Sequence, residues 1–130
     1  MNEYTAAYEV FMSQADSANE LWKFYSAVCL AVLGATIGSD KFKSSRKNTL
    51  IIIGAFLLFS LGNLLALMQV QEMVFALSEI TNSLSKTTPF STLVLKANTV
   101  CEITVFHIAC DFALSCAIYI VSRKSWNPSS

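Results

Sequence analysis

The stretch TLIIIGAFLLFSLGNLLALMQV, residues 49–70, decides the fold of this chain. It contains no charged side chain, and it is as long as the roughly 20 mostly apolar residues that a helix needs to cross a bilayer. Two other stretches have a similar length and composition: LWKFYSAVCLAVLGATIG at 21–38 and NTVCEITVFHIACDFALSCAIYIV at 98–121. The sequence therefore predicts three transmembrane helices.

The composition excludes several other classes of protein. Of the 130 residues, 54% are hydrophobic and only 14% are charged, whereas soluble domains have about 25% charged residues. The formal net charge is zero, so no overall positive field points to nucleic acid, and we expect no nucleic-acid partner. We therefore predict an all-α integral membrane protein, with a single membrane domain over residues 1–130 and the lipid bilayer as its first partner.

Lysine and arginine residues are distributed unevenly between the two ends of the predicted spans, and this sets the orientation. The connection at 39–48 and the tail at 122–130 carry Lys41, Lys43, Arg46, Lys47, Arg123 and Lys124. We expect this basic hairpin and the C-terminus in the cytoplasm, and the acidic segment 1–20 and the connection at 85–97 outside, in a bacterial inner membrane. Four of the basic residues are candidate ligands for anionic lipid headgroups: Lys41, Lys43, Arg46 and Lys47.

The second helix is predicted to continue beyond the membrane. Apolar or small residues recur at alternating steps of four and three, which is a heptad seam: Ile52, Phe56, Phe59, Asn63, Ala66, Val70, Met73, Leu77, Ile80 and Leu84. The helix would thus run from about Asn48 to Leu84. A stripe on the N-terminal segment has the helical spacing to pack on this extension as a hairpin outside the bilayer: Tyr4, Tyr8, Phe11, Ala15 and Ala18.

The ends of the first and third helices depend on local motifs. Ser17-Ala-Asn-Glu20 fits a capping box, so the first span would start there after a short break. The alternative is an uninterrupted helix from Asn2 to Gly38, and the sequence leaves both open. Pro89 or Ser91 is the expected start of the third helix, after a connection of about seven residues. Glu102 is expected near the membrane interface, within reach of headgroups or of a lysine.

The third span contains a stripe of polar residues, although a carboxylate at the bilayer centre costs roughly 3 kcal/mol or more. The stripe steps by three, four and four along one helix face: Thr104, His107, Asp111 and Ser115. Asn63 of the second span falls at a similar depth, so we predict an Asn63–His107–Asp111 cluster. It would be a hydrogen-bonded contact between helices or, alternatively, part of a proton or ion pathway.

A metal site is a third interpretation of this stripe, because His107, Cys110 and Asp111 stand at positions i, i+3 and i+4. Ligands of these types can bind zinc or copper. No CxxC or HxxxH pair accompanies them, so we expect no metal and no cofactor.

Small residues on the first span form a second feature. Gly34 and Gly38 make a GxxxG pattern, and a neighbouring ridge of alanines extends it: Ala27, Ala31 and Ala35. In lipid, such residues let two helix backbones approach closely. The ridge predicts helix packing, either inside one chain or between copies of the chain.

No nucleophile–base pair, phosphate-binding loop or dinucleotide motif is present in the sequence, so we expect no enzyme. In topology and size the layout resembles three-span phage holins, which have an outside N-terminus and a basic inside tail. The size is also similar to that of small anchor subunits of respiratory complexes. Two functions follow: an interaction or accessory subunit that oligomerises or docks on a larger membrane complex, or an oligomeric pore whose third span lines an ion or proton pathway.

The topology is testable by cysteine labelling. In a cysteine-free background, Ser44→Cys should stay unlabelled when an impermeant thiol reagent is added to intact cells, because the basic hairpin is retained on the inside. Glu3→Cys should be labelled under the same conditions. Labelling of position 44 from outside would reverse the topology.

Overall fold

A computed structural model of the chain describes residues 3–40, 45–86 and 94–126, with side chains up to Arg123 in the last range. Three helices make up the described chain: α1 (Glu3–Gly38), α2 (Arg46–Ser85) and α3 (Val100–Trp126). Each is long and apolar enough to cross a membrane. The prediction of an all-α membrane protein with three spans is confirmed. Lys41, Lys43, the Thr87–Phe90 break and the tail from 127 lie outside the described residues.

The first helix runs without a break through the motif at Ser17. The Ser17 hydroxyl donates to the carbonyl of Ser13, 3.1 Å away and one turn earlier in the same helix. Glu20 forms an exposed ion pair with Lys23 at 2.7 Å. Neither side chain therefore caps a new helix, and of the two alternatives the structure contains the uninterrupted one.

The second helix begins at Arg46 because Ser45 caps it. Ser45 has an extended backbone, and its side chain accepts a hydrogen bond from the Asn48 amide at 3.2 Å. The helix then continues for 40 residues, about 60 Å at 1.5 Å per residue, against a hydrocarbon core of about 30 Å. The N-terminal half of α1 lies beside the excess length, so the two helices project beyond the bilayer as a hairpin.

The buried face of that hairpin differs from the predicted seam. Beyond Asn63, the seam is wrong by one residue: Met73 and Ile80 are 51% and 52% exposed. The buried residues of α2 instead follow one position later along the chain, at Leu67, Gln71, Val74, Ser78, Thr81 and Ser85.

The hydroxyl side chains of this buried face are satisfied within their own helix. Thr81 donates to the carbonyl of Leu77 at 2.8 Å, and Ser78 donates to that of Phe75 at 2.7 Å. Such residues need no partner from α1. The buried residues in the N-terminal half of α1 include two aromatic rings, Tyr4 and Phe11.

The third helix begins later than the sequence predicted. A helix starting at Pro89 or Ser91 would include residues 94–99, which are not helical. A capping box sets the true start: the Thr99 hydroxyl accepts from the Glu102 amide at 3.2 Å, and the Glu102 carboxylate accepts from the Thr99 amide at 2.8 Å. Glu102 is thus a capping residue, and the described end of the connection from α2, residues 94–99, is not helical.

Two amide side chains of α2 hold the end of this connection. Asn82 accepts from the backbone amide of Leu95 at 2.8 Å and donates to the carbonyl of the same residue at 2.9 Å. Gln71 donates to the carbonyl of Asn98 at 2.7 Å. Paired backbone groups of this kind let a non-helical segment lie against the bundle.

Helix α2 is the centre of the bundle, since α1 and α3 each pack on it more extensively than on one another. One apolar junction involves all three helices, with Ala18, Leu67 and Ile103 buried together. It lies directly on the N-terminal side of the site described below. For reference, the basic end of the bundle is the end where α1 finishes and α2 begins; the opposite end is the N-terminal end.

The hydrogen bonds between Asn82 and the backbone of Leu95 give a direct prediction. Asn82→Ala should raise the hydrogen–deuterium exchange rate of the Leu95 amide at least tenfold, because this substitution removes the acceptor of that amide. Ser83→Ala, at an exposed neighbouring position, is the matched control and should change nothing. Equal exchange rates in both variants would show that Asn82 does not protect the Leu95 amide.

Candidate functional site

The carboxylate of Asp111 is the point where the three helices meet. Its Oδ1 accepts a hydrogen bond from the Tyr25 hydroxyl at 2.7 Å, and its Oδ2 accepts one from the Ser60 hydroxyl at 2.5 Å. Tyr25 lies on α1, Ser60 on α2 and Asp111 on α3. One side chain near the middle of a transmembrane helix therefore connects the whole bundle.

His107 links the carboxylate to a second polar residue of α2. The imidazole is fully buried, with Nε2 at 3.3 Å from Asn63 Nδ2 and Nδ1 at 3.2 Å from Asp111 Oδ2. In this orientation the Asn63 amide donates, so Nε2 accepts and the ring proton is assigned to Nδ1. His107 then donates to Asp111, which receives three hydrogen bonds in all.

Aromatic rings enclose the imidazole. The Tyr25 ring lies with its centroid 4.2 Å from that of His107, and the Trp22 ring lies at 5.6 Å. Trp22 also contacts Phe106 edge-on at 5.6 Å. The rings therefore separate the imidazole from lipid, in a surrounding of low dielectric where unpaired polar groups are costly.

The spacing of residues along each helix explains why these side chains converge. Every helix contributes two residues one turn apart, which therefore lie on one face: Trp22 and Tyr25, Ser60 and Asn63, and His107 and Asp111. The three faces point to a common axis. We call the hydrogen-bonded group of Tyr25, Ser60, Asn63, His107 and Asp111 the polar cluster.

The structure brings together the three residues of the predicted cluster, Asn63, His107 and Asp111, but not the other two residues of the polar stripe. Thr104 stays apart, because its hydroxyl donates to the carbonyl of Val100 at 2.8 Å in its own helix. The Ser115 hydroxyl is buried one turn beyond Asp111 and has no hydrogen-bond partner in the described part of the chain.

Tyr25 and Ser60 are the cluster members that the sequence analysis missed. A signal for each was present: Tyr25 continues the spacing of the buried stripe on α1, seven residues after Ala18, and Ser60 lies one turn before Asn63. Neither residue is ionisable in the ordinary range, so a search for unusual intramembrane charge passes over both.

The small-residue ridge of α1 points away from the other two helices. All five residues are exposed: Ala27, Ala31, Gly34, Ala35 and Gly38. A Cβ atom placed on Gly34 or Gly38 would have no other atom within 4 Å. Packing of this ridge inside one chain, one of the two predicted alternatives, is therefore wrong.

A comparable ridge occurs on α3. Ala109 and Ala113 are exposed and Ala117 is half-exposed, at successive steps of four. The sequence analysis missed this ridge because the polar stripe at His107 and Asp111 is the stronger signal on the same helix, and the small residues lie on the opposite face.

The remaining predicted sites are less informative. Arg46 and Lys47 are exposed at the first turn of α2. Within the described residues, no group of three or more His, Cys, Asp or Glu side chains is arranged to hold a metal ion. His107 and Asp111 bind each other, and Cys110 is half-buried beside them.

Comparisons with known proteins add no family to this description. No family model, no curated protein and no solved structure matches the chain. The class that the structure itself defines is a small three-helix integral membrane protein with a buried polar cluster.

The contribution of the cluster's hydrogen bonds to the stability of the bundle can be measured by substitution. Asp111→Ala should destabilise the bundle by about 2 kcal/mol, since three hydrogen bonds at about 0.6 kcal/mol each are lost. Asp111→Asn keeps the shape and part of the bonding, so its effect should be smaller. The measurement is reversible unfolding in mixed detergent micelles.

A double-mutant cycle then assigns the partners. Ser60→Ala should be coupled to Asp111→Ala by about 0.6 kcal/mol or more, whereas Ser26→Ala, at an exposed serine of α1, should show no coupling. Additive effects of the Ser60 and Asp111 substitutions would show that these two side chains do not interact.

Proposed function

We propose that this chain is a multi-pass membrane protein without catalytic machinery that acts through lateral association of its helices. It would be an accessory subunit that binds copies of itself or docks on a larger membrane complex. The observation that carries the proposal is the outward direction of the α1 ridge, where Gly34 and Gly38 have open space beside them. In a bilayer, surfaces of this kind allow close contact between helices.

The polar cluster supports this function by fixing the bundle. Hydrogen bonds from each helix to one carboxylate determine how α1, α2 and α3 are rotated about their axes. With Tyr25 turned towards Asp111, the alanine and glycine residues of α1 are turned towards lipid. A rigid bundle loses less conformational freedom on association than a loose one, so a fixed ridge favours binding.

The ridges of α1 and α3 are also matched in depth. These two helices run in the same direction, and Tyr25 and Asp111 lie at one level because they are hydrogen-bonded. Ala27 and Ala113 are each two residues beyond that level, and Ala31 and Ala117 are each six residues beyond it. The α1 ridge of one copy can therefore lie against the α3 ridge of the next, a heterologous contact that can close into a ring.

The proposed setting is the inner membrane of a bacterium, with the N-terminal end outside and the basic end in the cytoplasm. The support is the basic character of residues 39–48 and of the tail. Arg46 and Lys47 would then bind anionic headgroups of the inner leaflet.

An oligomeric pore lined by α3 is the alternative. It is less well supported, because a pore-lining stripe must face the axis shared by several copies. Here His107 is fully buried, and the Asp111 side chain is only 14% exposed, with both directed to helices of the same chain. A proton or cation flux assay in liposomes decides: flux in the wild type that is lost in a correctly assembled Asp111→Asn variant would favour the pore.

The association proposal is tested by filling the ridge. Wild-type protein in mild detergent should give native masses at multiples of 14.3 kDa. Gly34→Ile with Gly38→Ile should weaken this association about tenfold or more, equivalent to about 1.4 kcal/mol, because branched side chains keep the backbones apart.

The chain offers a matched control for this experiment. Gly54 and Gly62 of α2 are also exposed, and a Cβ atom added to either would meet nothing within 4 Å, so Gly54→Ile with Gly62→Ile should leave the masses unchanged. Equal effects of both pairs, or a wild type that is monomeric by cross-linking in native membranes as well as in detergent, would contradict self-association.

A further inference from the structure

A second layer of buried hydroxyls lies between the polar cluster and the basic end. On each helix this layer is eleven residues away from one member of the polar cluster: Tyr25, Ser60 or Asp111. Eleven residues are about three turns, or about 16 Å. Because the three cluster residues share one level, the three hydroxyls share a level and face too. We call Thr36, Thr49 and Ser122 the hydroxyl layer; all three are fully buried.

The hydrogen bonds of this layer are incomplete. Thr36 donates to the carbonyl of Val32 at 2.7 Å, and Thr49 donates to that of Ser45 at 3.3 Å. Each threonine oxygen keeps lone pairs that can accept. The Ser122 hydroxyl is buried without any hydrogen-bond partner among the described residues, as is that of Ser115.

Unpartnered hydroxyls inside an apolar bundle require an explanation, because buried polar groups are nearly always hydrogen-bonded to protein or to internal water. An internal water molecule typically makes two to four hydrogen bonds. The hydroxyl layer offers one free hydroxyl and two accepting oxygens, which is a set of that size. At the other level, Ser115 lies one turn beyond the Asp111 carboxylate.

The hydroxyl layer lies close to the basic end of the bundle. Thr36 is two residues before the end of α1, and Thr49 is three residues after the start of α2. Both are therefore within a turn of the helix ends at the basic end. Between the hydroxyl layer and the polar cluster the bundle is apolar, since Phe56 and Ile118 are buried there.

We propose that the basic half of the bundle binds internal water at two sites, one at the hydroxyl layer and one between Ser115 and Asp111. The polar cluster is thereby hydrated from the basic end alone, and Ile118 is the apolar barrier between the two sites. This function goes beyond lateral association, because it gives one side of the membrane access to the Asp111 carboxylate.

Substituted-cysteine accessibility tests the proposal. Thiol reagents of the methanethiosulfonate class attack the thiolate, which forms only where water is present. In a cysteine-free background, Ser122→Cys should react with a small cationic reagent of this class at least tenfold faster than Ala113→Cys, an exposed position on the lipid-facing side of α3. Reaction should occur only when reagent is added on the side of the basic end, which Ser44→Cys identifies.

The barrier makes a second, sharper prediction. Ser115→Cys should react from the same side but at least tenfold more slowly than Ser122→Cys, and adding Ile118→Ala should remove most of that difference. Reaction of position 115 from the opposite side, equal rates at positions 113 and 122, or no effect of Ile118→Ala would each overturn the proposal.

A measurement on the wild type guards against variants that fail to fold. Radicals generated from water by X-ray pulses modify side chains that lie beside internal water. Tyr25, which is 3% exposed, should be modified, whereas Phe112, which is 73% exposed towards lipid, should not. Protection of Tyr25 equal to that of Phe112 would overturn hydration of the cluster.

Discussion

The rest of the structure depends on the need to supply one carboxylate with hydrogen-bond donors inside an apolar bundle. An intramembrane carboxylate is tolerated when donors surround it, and here the donors come from Tyr25, Ser60 and His107. Lipid provides no hydrophobic force between helices, so close packing and interhelical hydrogen bonds, here those from Tyr25 and Ser60, hold the three helices together. The directions of the hydrogen bonds therefore decide which face of every helix is internal and which meets the surroundings.

The sequence was sufficient for the number of helices, their approximate extent and three members of the polar cluster. The length of the apolar stretches and the helical period carry that information. Counting residues along the second and third spans placed Asn63 at the same depth as His107. The rotation of α1 could not be predicted in the same way, because Tyr25 and the alanine ridge are both compatible with an internal face. Only the hydrogen bond to Asp111 distinguishes them, and it is a tertiary contact.

The two helix ends that the sequence left open or misplaced have a common physical explanation. Ser17-x-x-Glu20 and Thr99-x-x-Glu102 are the same motif, yet only the second caps a helix. The first lies where α2 runs alongside α1, so packing on a long neighbour keeps the helix continuous. The second follows a segment whose backbone is already paired with Asn82 and Gln71. Local capping signals thus act where tertiary contacts leave the chain free to turn.

The buried residues of α1 also imply a change in how the helices wind. Tyr4, Phe11, Ala18 and Tyr25 are spaced by seven, but Thr36 follows after eleven. A seven-residue period gives 3.5 residues per turn and a left-handed supercoil, whereas eleven residues in three turns give about 3.67 and a slight right-handed one. The four extra residues after Tyr25 are a stutter, which locally unwinds a left-handed coil. The winding that the seven-residue spacing favours along the N-terminal half of α1 is therefore relaxed beyond the level of the Asp111 carboxylate.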